Sequence, residues 1–349
     1  MIEYELGVED RADTRFAISP LAETVFSLWT LVDPGRTAAH LPWRSTALSR
    51  LSGLDAPLLL SLVGPTLAVP DFLTPRPDSY NPTLEHELAT VRATPVHIVR
   101  RDLLAAYAPA LLPDALCAAA SAGDRPVLAL LERLCDLLQH YWNLALAPVW
   151  PQMRLVLEAD TTYRARQLAV GGARLLFADM HPNVRWQDGV LRIDKMIGRH
   201  RAAAAGRGLL LMPSVFAYKP VPPVSASDPP TIAYPARGLG TLWAPPPAAD
   251  TTALTALLGA ARARLLHLLD EPQPTVELAR RLAVTPSAVS QHLQVLHATG
   301  LVTRTRDRRH VLYRRTPIAD QLIGPPAQPH YSASRATPPT TGARRRTFR

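Results

Sequence analysis

Ile2, Tyr4, Leu6 and Val8 alternate with polar residues, and Phe16 and Ile18 repeat that period further on. The spacing predicts strands there, joined as an early hairpin. Ser19-Pro20 sets an N-cap before a proline at the first helical position, which predicts a helix to about Val32 that stops at Asp33-Pro34-Gly35. Val127 to Ala147 is apolar around most of a helical circumference and predicts a central buried helix. Pro151 to Ala169 predicts a second long helix, with Gly171-Gly172 as its stop. Asn183 to Ile193 predicts two strands joined by an Asp188-Gly189 turn, and Gly208 to Met212 and Thr231 to Tyr234 add short strands. The pattern as a whole predicts a helix-dominated α+β unit.

Leu254, Leu257, Leu258, Ala261, Leu265 and Leu268 then recur at helical spacing, predicting one amphipathic helix that Pro272 and Pro274 end. Thr275 can cap a short helix, Val276 to Leu282, with Leu278, Ala279 and Leu282 inward. After the tight turn Ala283-Val284-Thr285, the pair Thr285-Pro286 opens another helix to about Ala298, which Gly300 stops. Two helices joined by so short a turn form a helix-turn-helix unit. On the second helix Val289, Leu293 and Leu296 share one face. Ser287, Ser290, Gln291 and Gln294 share the other, with His297 at its edge. Leu301 to Arg315 reads as a β-hairpin whose tip, Asp307-Arg308, is crowded by arginines. Arg304 and Arg306 point one way on its first strand, and Thr303 and Thr305 the other.

Composition divides the chain at the same place. Ala244-Pro-Pro-Pro is an extended linker signal, and Gly324-Pro325-Pro326 opens a tail with almost no aliphatic side chains. The expected domains are residues 1–243, a linker at 244–252, a winged helix-turn-helix domain at 253–323 and a disordered basic tail at 324–349. Residues 251–349 hold 15 Arg against 5 Asp or Glu, whereas the other 250 residues are nearly neutral, so the chain's net charge of +9 comes from its C-terminal part. A neutral large domain joined to a basic small one suits a sensor attached to a polyanion binder. Short uncharged Ser and Gln side chains can read base edges, and a basic hairpin tip can meet phosphates or a minor groove.

This C-terminal segment resembles the ArsR-type winged helix family. The matching stretches are Thr275 to Leu282, Thr285-Pro-Ser-Ala-Val-Ser-Gln-His-Leu293, Leu296-His-Ala-Thr-Gly-Leu-Val302 and the basic hairpin after them. The resemblance implies binding of double-stranded DNA at promoters, commonly as a homodimer and commonly as a repressor. By position it assigns DNA contacts to Thr285, Ser287, Ser290 and Gln291, beside Gln294 from the helix face, and wing contacts to Arg304, Arg306, Arg308 and Arg309. The sequence departs from the metal-sensing members, because Val276 to Leu282 holds no cysteine and Asp320 stands alone in the last segment. No metal and no cofactor is expected. The stretches Phe16 to Val25, Trp186 to Val190, Gly208 to Ser214 and Tyr234 to Gly238 are also similar to an α+β domain that precedes such winged helices in GC-rich bacteria.

Other classes find less support. Residues 1–243 contain no G-x-S-x-G elbow, P-loop, H-E-x-x-H or G-x-G-x-x-G motif, so no enzyme is expected. Glu85-His86-Glu87 reads as a solvated helical segment, and Cys117 and Cys135 as two buried thiols. No apolar run is long enough to span a bilayer, and the acidic N-terminus has no secretory pattern, so a cytoplasmic protein is expected. The expectation is a sequence-specific DNA-binding regulator whose N-terminal domain senses a small molecule or oligomerises. An enzyme with a DNA-binding appendage and a nonspecific architectural protein are the alternatives.

Overall fold

The computed structural model describes residues 1–120, 123–196, 198–243, 251–307 and 310–323. The chain divides into two compact units, Met1–Ala244 and Pro245–Arg349. In the first unit β1 (Ile2–Glu5), α1 (Val8–Ala12) and β2 (Arg15–Phe16) precede a helical run: α2 (Pro20–Val32), α3 (Leu41–Arg50), α4 (Ala56–Leu60), α5 (Leu84–Arg92), α6 (Val96–Tyr107), α7 (Asp124–Tyr141) and α8 (Trp150–Ala178). Five strands follow: β3 (Val184–Gln187), β4 (Val190–Ile193), β5 (His200–Ala203), β6 (Leu210–Ser214) and β7 (Thr231–Pro235).

The early hairpin does not form. β1 lies between β4, antiparallel, and β5, parallel, whereas β2 pairs with β6 in a separate parallel sheet of order β2-β6-β7. The chain between them winds into α1, held by the buried Asp10 carboxylate. Its oxygens accept from the backbone N–H of Gly7 (3.0 Å), Gly206 (2.8 Å) and Gly208 (3.2 Å). Alternation marked the strands but not their partners, which lie nearly 200 residues away. The turn at Asp188-Gly189 is present, with both residues at positive φ (49° and 81°), as a tight hairpin requires.

The parallel sheet is buried on both faces. Leu210, Met212 and Ala233 join the helical core, while Leu211, Ile232 and Tyr234 join the core beneath the four-stranded sheet. Near-continuous apolar strands are what that position demands.

The helix buried on all sides is α2, not α7. Every residue from Pro20 to Leu31 is buried. Its polar side chains each find an internal partner. Thr24 donates to the Pro20 carbonyl (2.7 Å), Ser27 meets the Tyr141 hydroxyl (2.7 Å), and Thr30 accepts from Thr37 (3.0 Å). Glu23 accepts from Val215 N–H at 3.0 Å. α7 is amphipathic, with Leu131, Leu134 and Leu138 inside and Leu128, Glu132 and Asp136 exposed. Gly172 (φ 62°, ψ −160°) breaks α8, but the helix resumes to Ala178 instead of stopping. Cys135 is buried, whereas Cys117 is exposed.

Glu87 is not solvated. It accepts from the Ser19 hydroxyl (2.5 Å) and Leu21 N–H (2.9 Å), anchoring α5 to the N-terminus of α2. Ser19 in turn accepts from Ala22 N–H at 2.9 Å. The first turn of α2 thus has its free N–H groups satisfied by one hydroxyl and one carboxylate.

The second unit contains α9 (Thr251–Leu258), α10 (Ala260–Leu268), β8 (Gln273–Pro274), α11 (Thr275–Leu282), α12 (Pro286–Ala298), β9 (Val302–Asp307), β10 (His310–Arg315) and α13 (Pro317–Ile323). The single amphipathic first helix is two helices. Gly259, at φ 81° and ψ 147°, interrupts it and resets the helical phase. The residues buried beyond it are therefore Ala263, Leu265 and Leu266, not Ala261 and Leu268. Thr275 is the first residue of α11 and its side chain makes no cap there. A single core joins Leu265, Leu266, Leu278, Val289, Leu293, Leu296 and Tyr313. Of the linker and tail, residues 244–250 and 324–349 lie outside the described residues, while Thr251 and Thr252 open α9.

Candidate nucleic-acid interface

The turn between α11 and α12 depends on Ala283, which adopts a left-handed conformation (φ 53°, ψ 43°). Val284 N–H then closes back on the Ala279 carbonyl at 3.1 Å. Thr285 follows as N-cap, its hydroxyl accepting from Ala288 N–H at 3.3 Å, and Pro286 opens α12. Val289, Leu293 and Leu296 are buried almost completely. They pin one face of α12, and the opposite face is turned to solvent.

That outer face carries Ser287, Gln291 and Gln294, all exposed, with Ser290 half-buried beside them. His297 is exposed at its end, and His292 is half-buried. Thr285 is exposed too, and its capping role occupies an acceptor position while leaving its O–H free to donate. The face is polar and uncharged, with donors and acceptors on short or medium side chains, which is the chemistry that meets base edges.

Beyond α12, β9 and β10 form an antiparallel hairpin, with β8 as the third strand beside β10. Arg304 stands opposite Tyr313, and Arg306 opposite Val311. Residues two apart share a sheet face, so Val302, Arg304 and Arg306 lie on one side. Val302 is buried at the core end, while Arg304 and Arg306 are exposed where the strand outruns the core. Neither arginine forms an ion pair among the described residues. Arg308 and Arg309 lie outside the described residues. Arg315, at the far end of the run, is anchored inward instead. It donates to the Leu266 carbonyl (3.1 Å) and lies 2.9 Å from the Asp320 carboxylate.

A further ion pair cluster lies on α11. Glu277 accepts from Arg280 at 2.7 and 3.0 Å and from Arg281 at 3.2 Å. Those bonds, Arg280's first, pull the Glu277 carboxyl down to about 2. The i,i+3 and i,i+4 spacing was the available signal. Arg280 and Arg281 are thus held by an internal anion, as Arg315 is by Asp320, while Arg304 and Arg306 form no ion pair among the described residues.

Among the described residues no group of His, Cys, Asp and Glu side chains could hold a metal ion, and no helix is long and apolar enough to cross a membrane. Residues 258–305 match the family model of a helix-turn-helix domain. The match runs from the end of α9 into β9 and covers well under half of the chain. No curated protein and no solved structure matches the chain. The helix-turn-helix match supports a DNA-binding regulator.

Proposed function

We propose that this chain is a sequence-specific regulator of transcription with an ArsR-type winged helix. In this reading α12 enters the major groove, and Ser287, Ser290, Gln291 and Gln294 meet base edges. Thr285 meets the backbone at the helix start. The β9–β10 hairpin is the wing, with Arg304 and Arg306 on phosphates or in the minor groove, joined by Arg308 and Arg309. The protein acts as a dimer on paired half-sites, most simply as a repressor, in the cytoplasm, and it is not an enzyme. The first unit senses a small molecule or joins the protomers.

The observation that carries this reading is the pairing of an uncharged polar helix face with Arg304 and Arg306 on the adjoining hairpin, which are exposed and form no ion pair among the described residues. One element has the chemistry of base readout and the other that of phosphate attraction. Selection of bound sequences from a random pool tests it. Ser290→Ala and Gln291→Ala are expected to relax the selected site, because a good base contact discriminates by about 1–3 kcal/mol. Arg306→Ala is expected to leave the selected site alone. An unchanged site in both helix variants would place the recognition face elsewhere, and a strict monomer on and off DNA would remove the paired arrangement.

A further inference from the structure

The first unit contains a cavity of about 260 Å³ that DNA binding does not use. Phe26 and Trp29 of α2, Phe72, Ile98 of α6 and Met212 of β6 supply its apolar wall. The rings of Phe26 and Trp29 stack with centroids 4.7 Å apart. The indole N–H of Trp29 is already satisfied by the Leu67 carbonyl at 2.9 Å, so that ring offers the cavity an apolar face.

Three carboxylates also line the cavity: Asp71, Asp102 and Asp228. Asp102 is buried and accepts from Phe72 N–H (2.9 Å) and from Arg101 (2.8 Å). One oxygen of Asp71 accepts from the N–H groups of Val224 (2.8 Å) and Ser225 (3.4 Å). Neither Asp71 nor Asp228 has an ion-pair partner among the described residues. Burial lifts the Asp71 carboxyl to about 6, and Asp102 and Asp228 push it further the same way. Arg101 is held charged first by Asp102, and Asp228 and Asp71 act on it as well. Three acids thus share one guanidinium. The remaining cations of the wall leave this imbalance in place. Arg76 donates to the carbonyls of Pro230 (2.9 Å) and Arg207 (3.0 Å). The Lys219 ammonium lies over the Tyr218 ring, 5.4 Å from its centroid, and pairs with none of the three acids.

We propose that this cavity binds a small amphipathic cation, a protonated amine whose nitrogen sits among Asp71, Asp102 and Asp228 and whose apolar body lies against Phe26, Trp29 and Phe72. A partly buried carboxylate without a counter-charge is costly, and a bound ammonium removes that cost. Aromatic walls favour both the apolar body and the charge. The proposal deepens the sensory role given to the first unit, and rests on it only for the effect of occupancy on DNA.

Calorimetric titration of the full chain without DNA tests it, using three indoles of similar size: tryptamine (cation), tryptophol (neutral) and indole-3-acetate (anion). Tryptamine is expected to bind saturably at one site, at least about tenfold tighter than tryptophol, with indole-3-acetate weakest. Asp71→Asn and Asp228→Asn are each expected to weaken tryptamine by about tenfold and leave tryptophol unchanged. Asp228 is half-exposed, and among the described residues its carboxylate accepts one hydrogen bond, at 3.5 Å from the Ser227 hydroxyl, so that variant keeps the fold if Asp71→Asn does not. Equal binding of the three, preference for the anion, no effect of Asp228→Asn, or no binding of any probe would each overturn the proposal. With no DNA in the cell, such a failure leaves the helix-turn-helix reading standing.

Discussion

Glu23 and Arg306 both carry ionisable side chains, yet they stand in opposite surroundings. Glu23 is buried in the first unit against Val215, while Arg306 is exposed on the second unit's hairpin and forms no ion pair among the described residues. The contrast extends to the two units as wholes. Glu23, Glu87, Asp102, Asp160 and Arg164 are all buried in the first unit, each with hydrogen-bond partners. Among the described residues of the second unit, no polar or charged side chain is buried. A buried carboxylate gains fixed geometry and a stability that depends on pH. An exposed guanidinium gains a partner-dependent energy that salt screens. The two units should therefore answer to different solution variables, the first to pH and the second to ionic strength.

The largest test breaks the apolar side of this contrast. Leu293 is completely buried, and Leu293→Ala is expected to cost the second unit about 3 kcal/mol. Urea unfolding followed by circular dichroism should show an early loss of this unit and of DNA binding, with the first unit's transition in place. A single unshifted transition would mean that something other than this core holds α12.

Glu23→Gln tests the polar side. Burial pushes the Glu23 carboxyl up to about 8, above its usual range, so the folded chain retains a proton that the unfolded chain has lost. This contribution to stability is complete below about pH 4.5 and is lost as pH rises through 8. Glu87, pushed up to about 7 mainly by burial, adds a slope of the same sign. Glu23→Gln is expected to flatten the fall in stability between about pH 5 and pH 8, gaining on the order of 2 kcal/mol at the upper end. Urea midpoints at the two pH values measure this, and parallel pH profiles for variant and parent would contradict it.

The salt-dependent side is sharpened by Arg304→Ala and Arg306→Ala. Each is expected to weaken binding to every DNA sequence and to flatten the log–log salt dependence by about one unit. Fluorescence anisotropy over a salt series reads that slope, and an unchanged slope would remove the residue from the phosphate contacts. The smallest effect belongs to Glu277→Gln. It frees Arg280 and Arg281 from their internal anion and is expected to tighten DNA binding by about two- to threefold. Weaker binding in that variant would mean that Glu277 positions the arginines instead of competing for them.

The second unit was the more legible in the sequence. Its polar side chains face outward, so hydrophobic period and burial coincide in α12, and Thr285-Pro286 and Gly300 mark its ends. The exception is Gly259, whose positive φ resets the phase between α9 and α10 in a way that periodicity cannot register. The first unit concealed more because its interior is partly polar. The spacing marked α2 as a helix but not its burial, since Glu23, Thr24, Ser27 and Thr30 are polar, and Glu23 and Ser27 find their partners in distant segments. Glu87 read as solvated for the same reason, since Ser19 and Leu21 lie 68 and 66 residues away. In the candidate interface, the α12 face and Arg304 and Arg306 were legible from spacing alone. The inward anchoring of Arg315 depends on Leu266 and Asp320, and no feature of a basic run announces it.

In the proposed function the second unit reads sequence through α12 and does more than attract phosphate. A salt titration of binding to the DNA upstream of the protein's own gene, beside a scrambled fragment of equal length and composition, separates these two contributions. Tight binding to the upstream fragment is expected to outlast binding to the scrambled one as salt rises. Equal, steeply salt-dependent binding to both would contradict it, leaving charge alone as the basis of the interaction.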